Sequence, residues 1–191
     1  MLSKIAIIDL ETGGLLVTDP IVEVAVMLLD TAGGAITELF NACMKEPGRG
    51  NAAAIVCSVK DCPFAIEELE QASPLESYRG TLQAAFDEFP VTSWNRKFDI
   101  GFLEYRGFAF PHLAPDPMEA AAGITCLPPT PRMAQYYPDK LYKTPRLEEA
   151  WQCIIGGAMP GPQHRAGTDA RCAALVLWEM ICRGDYPLPL P

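Results

Sequence analysis

Four acids and one histidine stand out by type and order: Asp9 and Glu11, then Asp99, then His164 and Asp169. Carboxylates gathered at one point repel one another and hold hard divalent cations, while a histidine can take a proton from water near neutral pH. The combination points to metal-dependent cleavage of a phosphodiester. Asp9 and Glu11 lie in Lys4-Ile5-Ala6-Ile7-Ile8-Asp9-Leu10-Glu11-Thr12-Gly13-Gly14. This apolar run with β-branched residues reads as a buried strand entering a Gly-rich turn. Side chains alternate along a strand, so Asp9 and Glu11 share one face and Leu10 takes the other. Two acids on one face of a buried strand end are costly unless something pairs them, and a divalent cation resolves that repulsion.

The second group is Asn95-Arg96-Lys97-Phe98-Asp99, preceded by the strand-like Val91 to Trp94. Phe98, Phe102 and Tyr105 recur at helical spacing, which predicts a helix with its aromatic side inward and Asp99 in its first turn. The third group is His164-Arg165-Ala166-Gly167-Thr168-Asp169, opening the apolar segment Ala173 to Ile181. On one regular helix, five residues at about 100° each would separate His164 from Asp169 by roughly 140°. That places His164 on the loop before the helix and Asp169 near the helix N-terminal end. Each group by itself also has an ordinary structural account: solvated strand-end acids, first-turn acids favoured by the helix dipole, and a loop histidine.

Taken together, Asp9 to Gly14, Asn95 to Asp99 and His164 to Asp169 resemble, in order and spacing, the D-x-E-T-T-G, N-x-x-F-D and H-x-A-x-x-D motifs of the DEDDh (DnaQ-like) 3′→5′ exonucleases, members of the RNase H-like superfamily. Ile21 to Val26 resembles that family's second strand, and Arg146 to Ala150 its penultimate helix. Gly13 departs from the pattern, since threonine is usual there, and is expected to change loop shape more than chemistry. The resemblance implies an α/β, RNase H-like fold: a central mixed sheet, antiparallel meander plus parallel strands, flanked by helices. It implies that Asp9, Glu11, Asp99 and Asp169 hold two divalent cations, Mg²⁺ or Mn²⁺, with Asp9 bridging them and Asp99 acting partly through water. His164 is then the general base. Substrate contacts are expected from Thr12, Gly13, Leu15, Asn95, Phe98 and Arg165. The implied reaction removes nucleoside 5′-monophosphates from the 3′ end of single-stranded DNA or RNA. The competing reading is a catalytically idle nucleic-acid or polymerase-binding module on the same fold, which loss of any of the five residues would have favoured.

The 191 residues, 49% hydrophobic, suit one exonuclease domain over 1–191 with a sizeable core. No long apolar stretch is present and the N-terminus runs directly into a charged strand start, so neither a membrane span nor a signal peptide is expected, and the location expected is cytoplasmic. The seven cysteines are odd in number and lack a C-x-x-C pair, which fits reduced thiols better than a disulfide frame or zinc site. The net charge of −9 argues against a large duplex-gripping surface and for a short single-stranded end. Arg96, Lys97 and Arg165 flank the acids as candidate phosphate contacts, with solvated surface charge the alternative for each. Association as a homodimer or with a polymerase stays open.

The elements that must position these residues are strands near Lys4 to Leu10, Ile21 to Leu29 and Ile36 to Ala42, forming an antiparallel meander. A helix follows over Leu75 to Phe89, then the strand before the second motif. Thr144-Pro145 supplies an N-cap and first-turn proline for a helix through Ile155, and a last helix follows Asp169. Met44 to Ala54 reads as a loop. The Pro-rich stretch Pro111 to Tyr142 lacks periodicity and is a candidate substrate-side loop, and Pro187 to Pro191 reads as an extended tail.

Overall fold

The computed structural model of this chain describes residues 4–46, 52–53, 55, 63–162 and 164–188. Most of the expected 44–54 loop, Cys57, Cys62 and the end of the tail lie outside the described residues. The meander is present: β1 (Lys4–Thr12) pairs antiparallel with β2 (Ile21–Asp30), which pairs antiparallel with β3 (Ile36–Lys45). Met44 is thus a buried β3 residue, and Ala52 and Ala53 are helical, where a loop was expected; Ile55, just beyond that stretch, is helical too. The short β4 (Ser73–Pro74) runs parallel to β3, and β5 (Val91–Ser93) runs parallel to β1. The sheet order β4-β3-β2-β1-β5 makes β1 an interior strand. This is the mixed α/β sheet expected from the sequence.

The helices are α1 (Ile66–Gln71), α2 (Arg79–Glu88), α3 (Arg96–Tyr105), α4 (Pro117–Thr125), α5 (Pro131–Tyr136), α6 (Leu147–Ile154) and α7 (Ala166–Arg183). Alternation along β1 decides which layer each helix joins. Ile5 and Ile7 pack with Ala121 of α4, Trp151 of α6 and Leu177 of α7. Ala6, Ile8 and Leu10 pack on the other face with Leu82 and Phe86 of α2 and Phe102 and Leu103 of α3. Asp9 and Glu11 continue the odd-numbered row, so the strand period aims both acids toward the α7 side. The β2–β3 turn fits closely under α7. Gly34 adopts φ +73°, and a Cβ there would lie 2.4 Å from the Trp178 ring, so any side chain would clash as well as strain the turn.

Several sequence expectations need correction. The 75–89 helix splits into a 3₁₀ turn over Leu75–Tyr78 and α2. The helix expected from Thr144-Pro145 starts at Leu147, where the Glu149 carboxylate accepts the Arg146 N–H (2.8 Å). The last helix does not follow Asp169 but begins three residues before it. The Pro111–Tyr142 stretch contains α4 and α5, each with proline in its first turn and an N-cap, Asp116 or Thr130, whose side chain accepts a backbone N–H. Tyr105 is exposed rather than inward, because it ends α3 beyond the layer that buries Phe102. No helix among the described residues is long and apolar enough to cross a membrane.

Candidate active site

Parallel neighbours β1 and β5 end on the same side of the sheet, the place where open α/β sheets present ligand-binding groups. β1 delivers Asp9 and Glu11 there. β5 ends at Ser93, and the chain turns through Asn95, in the left-handed conformation (φ +72°), directly into α3. Asn tolerates that conformation better than most residues. Asp99, in the first turn of α3, is buried. Its Oδ1 accepts the Leu10 N–H at 3.1 Å and its Oδ2 accepts the Ser93 hydroxyl at 2.7 Å. These two bonds pin Asp99 between β1 and β5 with both oxygens already oriented.

The third segment is fixed by a buried acid. Glu23, opposite Glu11 in the β1–β2 register, is only 2% exposed. It accepts two hydrogen bonds from the Arg165 guanidinium, at 2.8 and 3.1 Å to Oε1, and its Oε2 accepts the Ala166 N–H at 2.6 Å. Arg165 also pairs with Glu68 at 2.9 Å and lies over the Phe64 ring. The first turn of α7 is thereby tied to the sheet beside the acids. His164 comes just before it, exposed and left-handed at φ +61°, and its N–H donates to Asp169 Oδ2 at 3.1 Å. Glu11, His164 and Asp169 each offer a ligand-capable atom, all within 4.8 Å of one another.

Among the described residues, Asp169 Oδ1 is buried with no hydrogen-bond partner. Apart from His164, its ionisable neighbours include further acids, Glu11 within ligand reach among them. Burial, then repulsion from Asp99, Glu11, Asp169 and Glu23, holds the Asp9 carboxyl well above its ordinary range. Burial and the charges of Asp169, Glu23 and Asp99 push Glu11 up to about 8, against Arg165. Burial lifts Asp99 to about 7 despite the Ser93 and Leu10 hydrogen bonds, and lifts Asp169 to about 6 despite its bond from His164. An oxygen-only set of mutually repelling carboxylates, one with an orphaned buried oxygen, fits hard divalent cations.

That electrostatic frustration has a measurable sign. These acids bind protons more tightly folded than unfolded, so between about pH 4 and pH 8 the folded state holds more protons and stability falls as pH rises. Metal-free protein should therefore melt at lower temperature at pH 8 than at pH 6. Mn²⁺ at about 100 times its dissociation constant should raise the melting temperature by about 5–10 °C, the equivalent of about 2.7 kcal/mol, and at one fixed Mn²⁺ concentration the rise should be larger at pH 8 than at pH 6, where protons compete for the carboxylates. A calorimetric scan insensitive to Mn²⁺ would remove the metal site.

The cleft in front of the acids, about 400 Å³, is lined by Asp9, Asn95 and Asp169 and walled by Thr144, Pro145 and Arg146. Of the residues expected to contact substrate, Asn95 faces this cleft, and Leu15 is 85% exposed on the loop after β1. Thr12 donates its hydroxyl hydrogen to the Gly14 carbonyl (2.7 Å), and the Gly13 N–H donates to the Pro20 carbonyl (2.8 Å). A Cβ at Gly13 would come within 2.8 Å of Pro20 Cγ, so the departure from threonine matches a tighter loop. Phe98 is half-buried and tilted against Phe102, with ring centroids 4.7 Å apart. Arg165 is committed to Glu23 and Glu68, and Arg96 to the Ala114 carbonyl, so neither guanidinium points freely at a phosphate.

Two contributors escaped sequence reasoning. Ser93 gave no signal, being a small polar residue in a short strand. Glu23 did give one: a lone acid inside Ile21-Val22-Glu23-Val24-Ala25-Val26 must have a partner if that strand is buried. Glu23→Ala should cost about 2–4 kcal/mol in a denaturation midpoint, since it leaves Arg165 and the Ala166 N–H without their main acceptor. A loss below 0.5 kcal/mol would show that Glu23 does not hold α7.

No family profile and no curated protein sequence matches this chain. Solved structures do match. The nuclease domain of 3′hExo, a DEDDh family member bound to rAMP, superposes with a TM-score of 0.69 at 14% identity, over 99% of this chain and 97% of that one. A full-length 3′-exonuclease gives 0.67 at 14% identity over 98% of this chain. E. coli exonuclease I in complex with a dT13 oligonucleotide gives 0.65 at 14% identity over 93% of this chain. The chain spans 63% of the full-length 3′-exonuclease and 41% of exonuclease I. The fold is therefore the RNase H-like α/β fold found in DEDDh 3′-exonucleases.

Proposed function

We propose that residues 1–191 form one metal-dependent 3′→5′ exonuclease domain of the DEDDh type, releasing nucleoside 5′-monophosphates from single-stranded DNA or RNA. The observation that supports this reading is a cluster drawn from three distant segments: Asp9 and Asp169 line one cleft, Glu11 and His164 offer ligand atoms within 4.8 Å of Asp169, and the charge of buried Asp99 bears on Asp9. Similar solved structures bound to a histone mRNA stem-loop, to 5′ overhanging duplex DNA and to dT13 support nucleic acid as the substrate class.

Asp9, Glu11, Asp99 and Asp169 would hold two divalent cations, Mg²⁺ or Mn²⁺. Such ions, when bound, lower the pKa of a water and stabilise the charge of the leaving 3′ oxygen. Asp99, locked by Leu10 and Ser93, keeps a fixed direction for its remaining lone pairs. His164, exposed at the mouth beside Glu11 and Asp169, can take the attacking water's proton and pass it to solvent. Leu15 would offer an apolar surface to the terminal base, with Phe98 a second candidate and Thr12, Gly13 and Asn95 contacting the sugar-phosphate. Arg165 acts by positioning His164 and α7 through Glu23 rather than by touching phosphate.

The test is digestion of 5′-labelled single-stranded DNA and RNA with Mg²⁺ or Mn²⁺. A ladder shortening from the 3′ end, absent in EDTA, is the expected result. Intact oligonucleotide with either metal, together with retained binding, would leave the idle binding module on the same fold.

A further inference from the structure

The excursion between α4 and α6 departs from the rest of the surface in composition. It is closed at its base by the Lys143 N–H donating to the Leu127 carbonyl (3.0 Å) and contains α5, whose Thr130 cap accepts the Met133 N–H. Tyr136 and Tyr137 are 63% and 61% exposed and Leu141 is 74% exposed, an uncommon concentration of large apolar groups in water. Thr130, Arg132, Met133, Tyr136 and Tyr137 surround a hollow of about 370 Å³. Residues 128–146 carry Arg132, Lys140, Lys143 and Arg146 against the single acid Asp139, in a chain of net charge −9. Lys143 is tied to Glu149 at 2.6 Å, whereas Arg132 and Lys140 lie exposed.

We propose that this aromatic and basic face is the landing surface for the upstream part of a single-stranded nucleic acid whose 3′ end enters the cleft. The proposal rests on the exonuclease reading of that cleft. Position supports it: the chain runs from Lys143 straight into Thr144, Pro145 and Arg146, the wall opposite Asp9 and Asp169. Tyr137 is seven residues from Thr144, a reach of at most about 25 Å. Chemistry supports it as well. Flat, rigid rings interleaved with cations suit stacked bases and their phosphates, whereas the core of a protein interface is depleted in lysine. On a molecule whose other charges mostly repel a polyanion, this face has the complementary sign.

Two double variants test it, Tyr136→Ala with Tyr137→Ala, and Arg132→Glu with Lys140→Glu. Each is assayed on a 20-nucleotide single strand and on the p-nitrophenyl ester of thymidine 5′-monophosphate, too short to leave the cleft. Fluorescence anisotropy of the 20-mer in EDTA measures affinity without turnover. The expected result is a KM and Kd for the 20-mer raised about 10-fold or more, with ester hydrolysis unchanged. Unchanged KM and Kd in both variants would overturn the proposal, and that is also the outcome if the face serves a protein partner. Should the wild type cleave neither substrate, the exonuclease reading fails, and the anisotropy still decides: weakened binding in the variants supports the surface, and equal binding removes it.

Discussion

Asp9→Asn is expected to lower turnover at a 3′ end by about 10³-fold or more while raising the melting temperature of the metal-free protein. The two effects have one cause. Asp9 is the acid on which burial and the charges of Asp99, Glu11, Asp169 and Glu23 all bear in the same direction. Removing its charge relieves that repulsion in the absence of cations, and removes one of the carboxylates proposed to hold them. The stabilisation by Mn²⁺ should shrink correspondingly in a thermal scan. A variant that stays active, or one that loses activity while keeping the full Mn²⁺ response, would show that Asp9 is not a ligand.

His164→Asn separates a base from a ligand. Asparagine tolerates the left-handed backbone that His164 occupies, so the substitution removes basicity with little added strain. As general base, His164 should contribute about 10²- to 10⁴-fold to kcat. The variant should lose that factor in kcat, yet keep the wild-type Mn²⁺ shift in melting temperature. Because His164 also stands within 4.8 Å of Glu11 and Asp169 ligand atoms, loss of the Mn²⁺ shift would reassign it to holding the ion.

What could be read from the chain followed from local periodicity. The meander was legible because Ile5 to Ile8 and Ile21 to Leu29 are apolar runs bounded by turn residues, and the alternation that buries Ile5 and Ile7 also sets the direction of Asp9 and Glu11. The place of His164 outside α7 followed from angular arithmetic alone. The helices α4 and α5 escape a reading by periodicity because each is too short to show an apolar stripe, although proline after Asp116 or Thr130 is a helix-start signal. Tyr105 and Arg165 show the other limit: whether a stripe is buried, or a cation free, depends on the element packed opposite, which no local window contains. The Ser93–Asp99 and Glu23–Arg165 contacts are tertiary in the same sense. Glu23 was nonetheless detectable as an unexplained charge in a buried strand.

The Glu23 contact with Arg165 and Ala166 joins residues 142 and 143 positions apart, and it secures the segment that brings His164 and Asp169 to the acids of β1. During synthesis, β1 to β3 can form a hairpin ribbon long before α7 leaves the ribosome. Until that late arrival docks, the growing polypeptide carries Asp9 and Glu11 with neither His164 nor Asp169 beside them.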